Sequence, residues 1–246
     1  MTNRPAPPAP HNSGFRSHAQ RRSAGVKLLL ALCVVGMAAQ ASAESDPAVI
    51  FTKDFPNSAP AYYSITVRES GAAVYRTDPN DDAPIEFRLS GEPAGEIFSL
   101  ARKLNRFQGA TLESNRRVAN MGKKTLAYRD GAENHQASFN HTEIPEAMAL
   151  TALFERISQT QQHALRIEYL IRFDRLGVVK ELLQLEIDLD QGRLLDAARL
   201  VPVLEQVLKD RSLVQVAQGR AAQIIAKIQA KIQSGNAKPT SSQGNN

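Results

Sequence analysis

The stretch "NHTEIPEAMALTALFERI", Asn140 to Ile157, is where one periodicity ends and another begins. Upstream of it, apolar residues alternate with polar ones in short runs. From Thr142 onward they fall at Leu150, Leu153, Phe154 and Ile157, three and four apart, which gathers them on one face of a helix. Thr142 is the expected cap, and Pro145 sits early in the helix, where its missing N–H does least harm. No Gly/Pro/Ser-rich linker separates the two regimes. The spacing therefore predicts a strand-rich part with a helical part docked directly upon it, one cooperative body of the α+β class.

Working back from the join, "AVIFTKDF" is apolar and aromatic, and "AYYSITVRES" sets Tyr63, Ile65 and Val67 against Ser64, Thr66 and Arg68. Such alternation assigns one set to each face of a strand. Gly71 marks a hairpin turn before "AAVYRTD", and "DPNDDAP" marks a second turn before the strand "PIEFRLS". Ser90 is read as the cap of a helix carrying Ile97, Leu100, Ala101 and Leu104 on one stripe, with Glu92 and Glu96 early and Arg102 and Lys103 late, as the helix dipole favours. "KTLAYRD", a turn at Gly131 and "HQASFN" supply another hairpin. Residues 44–142 thus read as an antiparallel β-meander with hairpins and one packed helix, in the order β-β-β-β-α-β-β.

Residues 143–233 read as a C-terminal α-helical bundle of hairpins. The first helix either runs on through Ala164, Ile167 and Ile171 or breaks near Ser158 to Gln162. Further helical patterns cover Val178 to Leu189, Leu194 to Leu208 and Leu213 to Ile232, and Pro202 is expected to kink or restart the third of these four. Residues 234–246, rich in Ser, Asn, Gly and Gln, read as a disordered tail.

The first 43 residues read as an export address. Arg21, Arg22 and Lys27 precede the apolar run Leu28 to Ala39, and Ala41-Ser42-Ala43 follows it, so cleavage is expected between Ala43 and Glu44. The run is too short for a helix matched to a bilayer. Cys33 follows Leu32 rather than a small residue, which argues against a lipoprotein signal, and the residues after Arg21-Arg22 do not complete a twin-arginine motif. The chain has 30 Lys and Arg, five of them within this leader, against 25 Asp and Glu, all beyond it. The expected mature chain is therefore charge-balanced, which argues against a nucleic-acid partner held by phosphate neutralisation. Its only cysteine departs with the leader, removing disulfides and thiol chemistry from consideration.

No motif discloses a reaction. His135, His141 and His163 form no close ligand pair, and His163, within the polar run "SQTQQH", reads as part of a solvated helix face. "MGKKT" lacks the upstream glycine of a phosphate loop, since Arg117 stands there, but Arg116, Arg117, Lys123 and Lys124 could make a local anion patch. "DPNDD" and "DLDQG" lack the glycine and glutamate of a calcium loop and read as turns.

The run "FTKDFP…YYSITVRESGAAVYR", with "IEFRLS", "EIFSLARKLNRF" and "VANMGKKTLAYRDG", resembles secreted bacterial proteins of families of unknown function, over residues 51–157. The resemblance implies an exported α+β domain and carries no catalytic residues. The expectation is an exported, non-enzymatic binding or envelope-associated module without a cofactor, its partner an unidentified protein or envelope component. A hydrolase or other enzyme with an unmarked site, and an oligomerisation scaffold, are the alternatives.

Overall fold

The structure, a computed structural model, describes residues 46–236. The expected leader, including Ala41, Ala43 and Glu44, lies outside the described residues, as does most of the expected tail.

Six antiparallel strands form one sheet: β1 (Ala48–Asp54), β2 (Tyr62–Arg68), β3 (Ala72–Arg76), β4 (Ile85–Arg88), β5 (Lys123–Asp130) and β6 (Glu133–Phe139). Their order across the sheet is β4-β3-β2-β1-β5-β6. The first four make the meander, and the β5–β6 hairpin joins it along β1, with Phe51 opposite both Ile65 and Leu126. Alternation then sends Val49, Phe51, Tyr63, Ile65, Val67, Ala73, Tyr75, Leu126 and Tyr128 to one face, where all are buried. Gly71 closes the β2–β3 hairpin at φ +84°, a left-handed conformation glycine adopts without Cβ strain. Between β3 and β4, the Asp78 carboxylate accepts from the Asn80 amide at 2.8 Å and Asp81 from Ala83 at 3.0 Å, so "DPNDD" folds as a turn.

Helix α1 (Gly91–Lys103) lays Ala94, Ile97, Phe98, Leu100 and Ala101 on the apolar face of the sheet. Ser90 occupies its cap position, but the hydroxyl makes no capping bond. Helix α2 (Pro145–Phe173) is capped at Ile144 rather than at Thr142; the Thr142 hydroxyl accepts from the Ile144 amide at 3.3 Å and so shapes the approach.

With 29 residues, α2 is about 43 Å long at a rise of about 1.5 Å per residue. It is unbroken between Ser158 and Gln162. Its first half buries Ala147, Leu150, Leu153, Phe154 and Ile157 in the core of the sheet, and its last turns bury Ile167 and Leu170 in a second core. That second core is completed by α3 (Gly177–Asp190), α4 (Val201–Lys209) and α5 (Gln215–Asn236). Pro202 restarts the chain as expected: a 3-10 turn, Ala197–Leu200, leads into α4 with the proline in its first turn. The chain is α+β, and residues 46–236 belong to one compact unit. Among the described residues no helix is long and apolar enough to cross a membrane.

Candidate functional site

Between the two cores, α2 presents polar residues to the interior. Ser158, Thr160, Gln161 and His163 are all buried, and a buried polar group without a partner costs free energy comparable to a lost hydrogen bond. Each one has partners. The Thr160 hydroxyl donates to the Leu195 carbonyl at 2.8 Å, and Ser158 accepts from Gln162 at 2.8 Å. With its carboxamide turned to place the oxygen toward Arg199, the orientation that satisfies both groups, Gln161 accepts from Nε at 3.1 Å and Nη2 at 3.2 Å, and the Arg199 guanidinium lies 4.0 Å over the Phe87 ring. A polar seam thus separates the apolar cores along one continuous helix.

His163 is the centre of that seam. Its Nδ1 lies 2.7 Å from Glu181 Oε1 and its Nε2 lies 3.0 Å from Asp188 Oδ2, both carboxylates coming from α3. Glu181 and Asp188 are seven residues apart, two helical turns, which places them on the same face and lets them grip the ring from opposite edges. Asp188 is also fully buried and accepts further bonds from Arg193 at 2.9 Å, Gln159 at 3.1 Å and Gln184 at 3.2 Å. The polar run "SQTQQH" is therefore not a solvated face, and Asp188 is not part of a turn; both sequence readings are corrected by the packing of α2 against α3.

This network forms part of the wall between two cavities. One, about 730 Å³, opens between the Ala59–Pro60 loop, the end of β3 and helices α2 and α3, with Tyr75, Gln162, Arg166, Tyr169, Glu181 and Gln184 among its lining. The other, about 510 Å³, lies on the Arg193 side and is lined by Glu155, Arg156 and Asp188. Tyr75 reaches the first cavity from the sheet, its hydroxyl 3.4 Å from Ser158 Oγ. Burial holds the Tyr75 phenol above its ordinary value, so at neutral pH it is an uncharged hydroxyl. At the mouth, Tyr169 is 52% exposed and packs on Phe173, ring centroids 4.9 Å apart.

The basic residues read as an anion patch differ in their surroundings. Arg116 is engaged with Glu143 at 2.9 Å on the surface, and Arg117 is exposed. Lys123 and Lys124 are neighbours on β5 and point to opposite faces. Lys124 is buried, donates to the Asn140 carbonyl at 2.9 Å and lies 5.9 Å over the Phe139 ring; burial lowers its pKa. Gly122, in "MGKKT", has φ +88°, and a Cβ there would stand 2.6 Å from Phe55, so its glycine serves close chain packing. Among the described residues no group of three or more His, Cys, Asp and Glu is placed to share a metal ion; the two carboxylates at His163 bind different ring nitrogens on opposite edges.

The signal for the site was present in the sequence as an interruption. The stripe through Leu150, Phe154 and Ile157 resumes at Ala164, Ile167 and Leu170, and the buried positions in between, Ser158, Thr160, Gln161 and His163, are polar, where a purely apolar contact would have kept Leu or Ile. No family model matches the chain, and no curated protein is significantly similar to it.

Proposed function

We propose that this protein is an exported, non-enzymatic binding module of bacterial origin, and that the 730 Å³ cavity receives an uncharged polar ligand, a short glycan being the chemistry its lining fits best. The observation that carries the reading is the lining itself. Three carboxamides, Gln159, Gln162 and Gln184, can donate and accept, and one Arg166 stands with one Glu181, so the wall offers hydroxyl groups many partners and no excess of charge. Tyr169 adds an exposed ring face at the mouth, an amphipathic contact that rigid apolar patches of a sugar or peptide can cover. The volume lies within the range of about 300–1,000 Å³ typical of small-ligand sites.

His163 supports a binding role over a catalytic one. Its nitrogens meet Glu181, Asp188 and the Gln159 amide. The buried hydroxyls nearest in sequence are committed elsewhere, Thr160 to the Leu195 carbonyl and Ser158 to Tyr75 and Gln162. A base that activates a nucleophile must reach the proton it takes, and here the ring positions α3 against α2. The export reading rests on the leader, and the envelope association follows from that compartment.

Chemical-shift mapping with a panel of neutral oligosaccharides and uncharged tripeptides tests the proposal. Perturbations centred on Gln162, Tyr169 and Gln184, abolished by Tyr169→Ala with Gln162→Ala, are the expected result. Hydrolysis of any panel member, or shifts confined to other surfaces, would count against it.

A further inference from the structure

The face of the sheet away from the helices carries its own chemistry. Alternation places Arg68 on β2, Arg76 on β3 and Arg129 on β5 on this face, and Arg68 and Arg129 flank Ala48 from the two neighbouring strands. Strands lie about 4.8 Å apart, so those two arginines spring from backbones about 10 Å apart. Arg76 lies opposite Ser64, four residues along β2 from Arg68. All three side chains line one hollow of about 430 Å³ whose floor is Ala48, Ile50, Thr66 and Val74.

Long cationic side chains over a floor of short ones make a basin with charge on its walls. Among the described residues, the Arg76 and Arg129 side chains have no ion-pair or hydrogen-bond partner, and the Arg68 side chain reaches only the Asp46 carbonyl, at 3.3 Å. Two carboxylates border the hollow, and both are turned to other donors: Asp46 accepts from the Ser70 amide at 3.2 Å and hydroxyl at 2.9 Å, and Asp130 from Tyr128 at 3.4 Å. The guanidinium groups therefore retain most of their donors for a ligand.

We propose that this hollow is a binding site for a small soluble anion bearing two phosphate groups, bridged between Arg68, Arg76 and Arg129. Three arginines lining one hollow can share two anionic groups, and planar guanidinium forks match phosphate oxygens bidentately. A membrane surface is the poorer occupant, because among the described residues none of the exposed large apolar side chains belongs to this face of the sheet. A nucleic acid is poorer too: Asp54 and Glu86 stand on the same face, Arg88 there already donates to the Ser70 carbonyl and Lys123 lies opposite Asp54, so the uncommitted positive charge is gathered at the hollow rather than along a track.

Calorimetric titration of the full chain with inorganic pyrophosphate at low ionic strength tests the site. Saturable one-to-one binding is expected, weakened at least about tenfold by Arg129→Gln and further by adding Arg68→Gln. Arg102→Gln, at an exposed arginine paired with Glu69 on α1's side of the molecule, should leave it unchanged. All the changed side chains are on the surface, and circular dichroism verifies that the variants are folded. Absence of saturable binding, or equal affinity in Arg129→Gln, overturns the proposal. So does binding to phosphatidic-acid vesicles or duplex DNA that pyrophosphate fails to compete away.

Discussion

At His163 the ring is gripped from both edges by carboxylate oxygens, so its removal strands buried acceptors. Asp188 would retain Arg193, Gln159 and Gln184, which limits the damage. A buried acceptor left without its partner costs about 1–3 kcal/mol, and we expect His163→Ala to fall within that range. Urea unfolding at neutral pH measures it. His163→Gln, which restores a donor, should recover part of the loss; equal loss in both variants would mean that ring volume, and not hydrogen bonding, is what the seam requires.

At the scale of elements, α3 and α5 are joined by charge as well as by their apolar stripes. Glu186 receives Lys227 at 2.8 Å and Arg220 in a close ion pair, and Lys227 also meets Asp190 at 2.8 Å. The hydrogen bond from Lys227, with Arg220 behind it, holds the Glu186 carboxyl below its ordinary value of 4.5. A folded pKa lower than the unfolded one means that the folded state resists protonation. The contribution of Glu186 is thus present above about pH 4.5 and lost as the pH falls through the depressed value. Glu186→Gln should therefore lower the urea midpoint at pH 7, and the gap from the unaltered protein should narrow as the pH falls below about 4.5. A gap independent of pH would show that the pair contributes through packing alone.

At the scale of the whole molecule, α2 is the one element shared by both cores. Phe154 is fully buried and stacks on Phe51 of β1 at 5.3 Å with planes 12° apart, and Phe51 in turn meets Tyr63 at 5.9 Å. Truncating a buried phenylalanine costs about 3–5 kcal/mol. Because α2 also supplies Ile167 and Leu170 to the second core, we expect Phe154→Ala to lower the strand and helix transitions together in thermal unfolding. Early helix melting with an unmoved strand transition would establish two independent parts.

The class of the fold was legible because its signals are local. Period-two runs at Tyr63–Val67 and Ile85–Leu89, glycine at the Gly71 turn, and the switch to three-and-four spacing at Leu150 are each written within a few residues, and each element formed where its pattern stood. Neither the placement of β5 beside β1 nor the continuity of α2 is local in that sense. Strand order depends on which apolar faces meet, and Phe51 finds Leu126 from 75 positions away. The polar run at Ser158 to His163 looked solvated because its partners, Glu181, Asp188, Leu195 and Arg199, lie on elements that the sequence separates from it. Lys123 and Lys124 adjoin in sequence and part in space, while Arg68, Arg76 and Arg129 do the reverse. Composition and periodicity determine what each segment buries; only the tertiary fold decides which polar groups are enclosed together, because enclosure depends on contacts between distant segments.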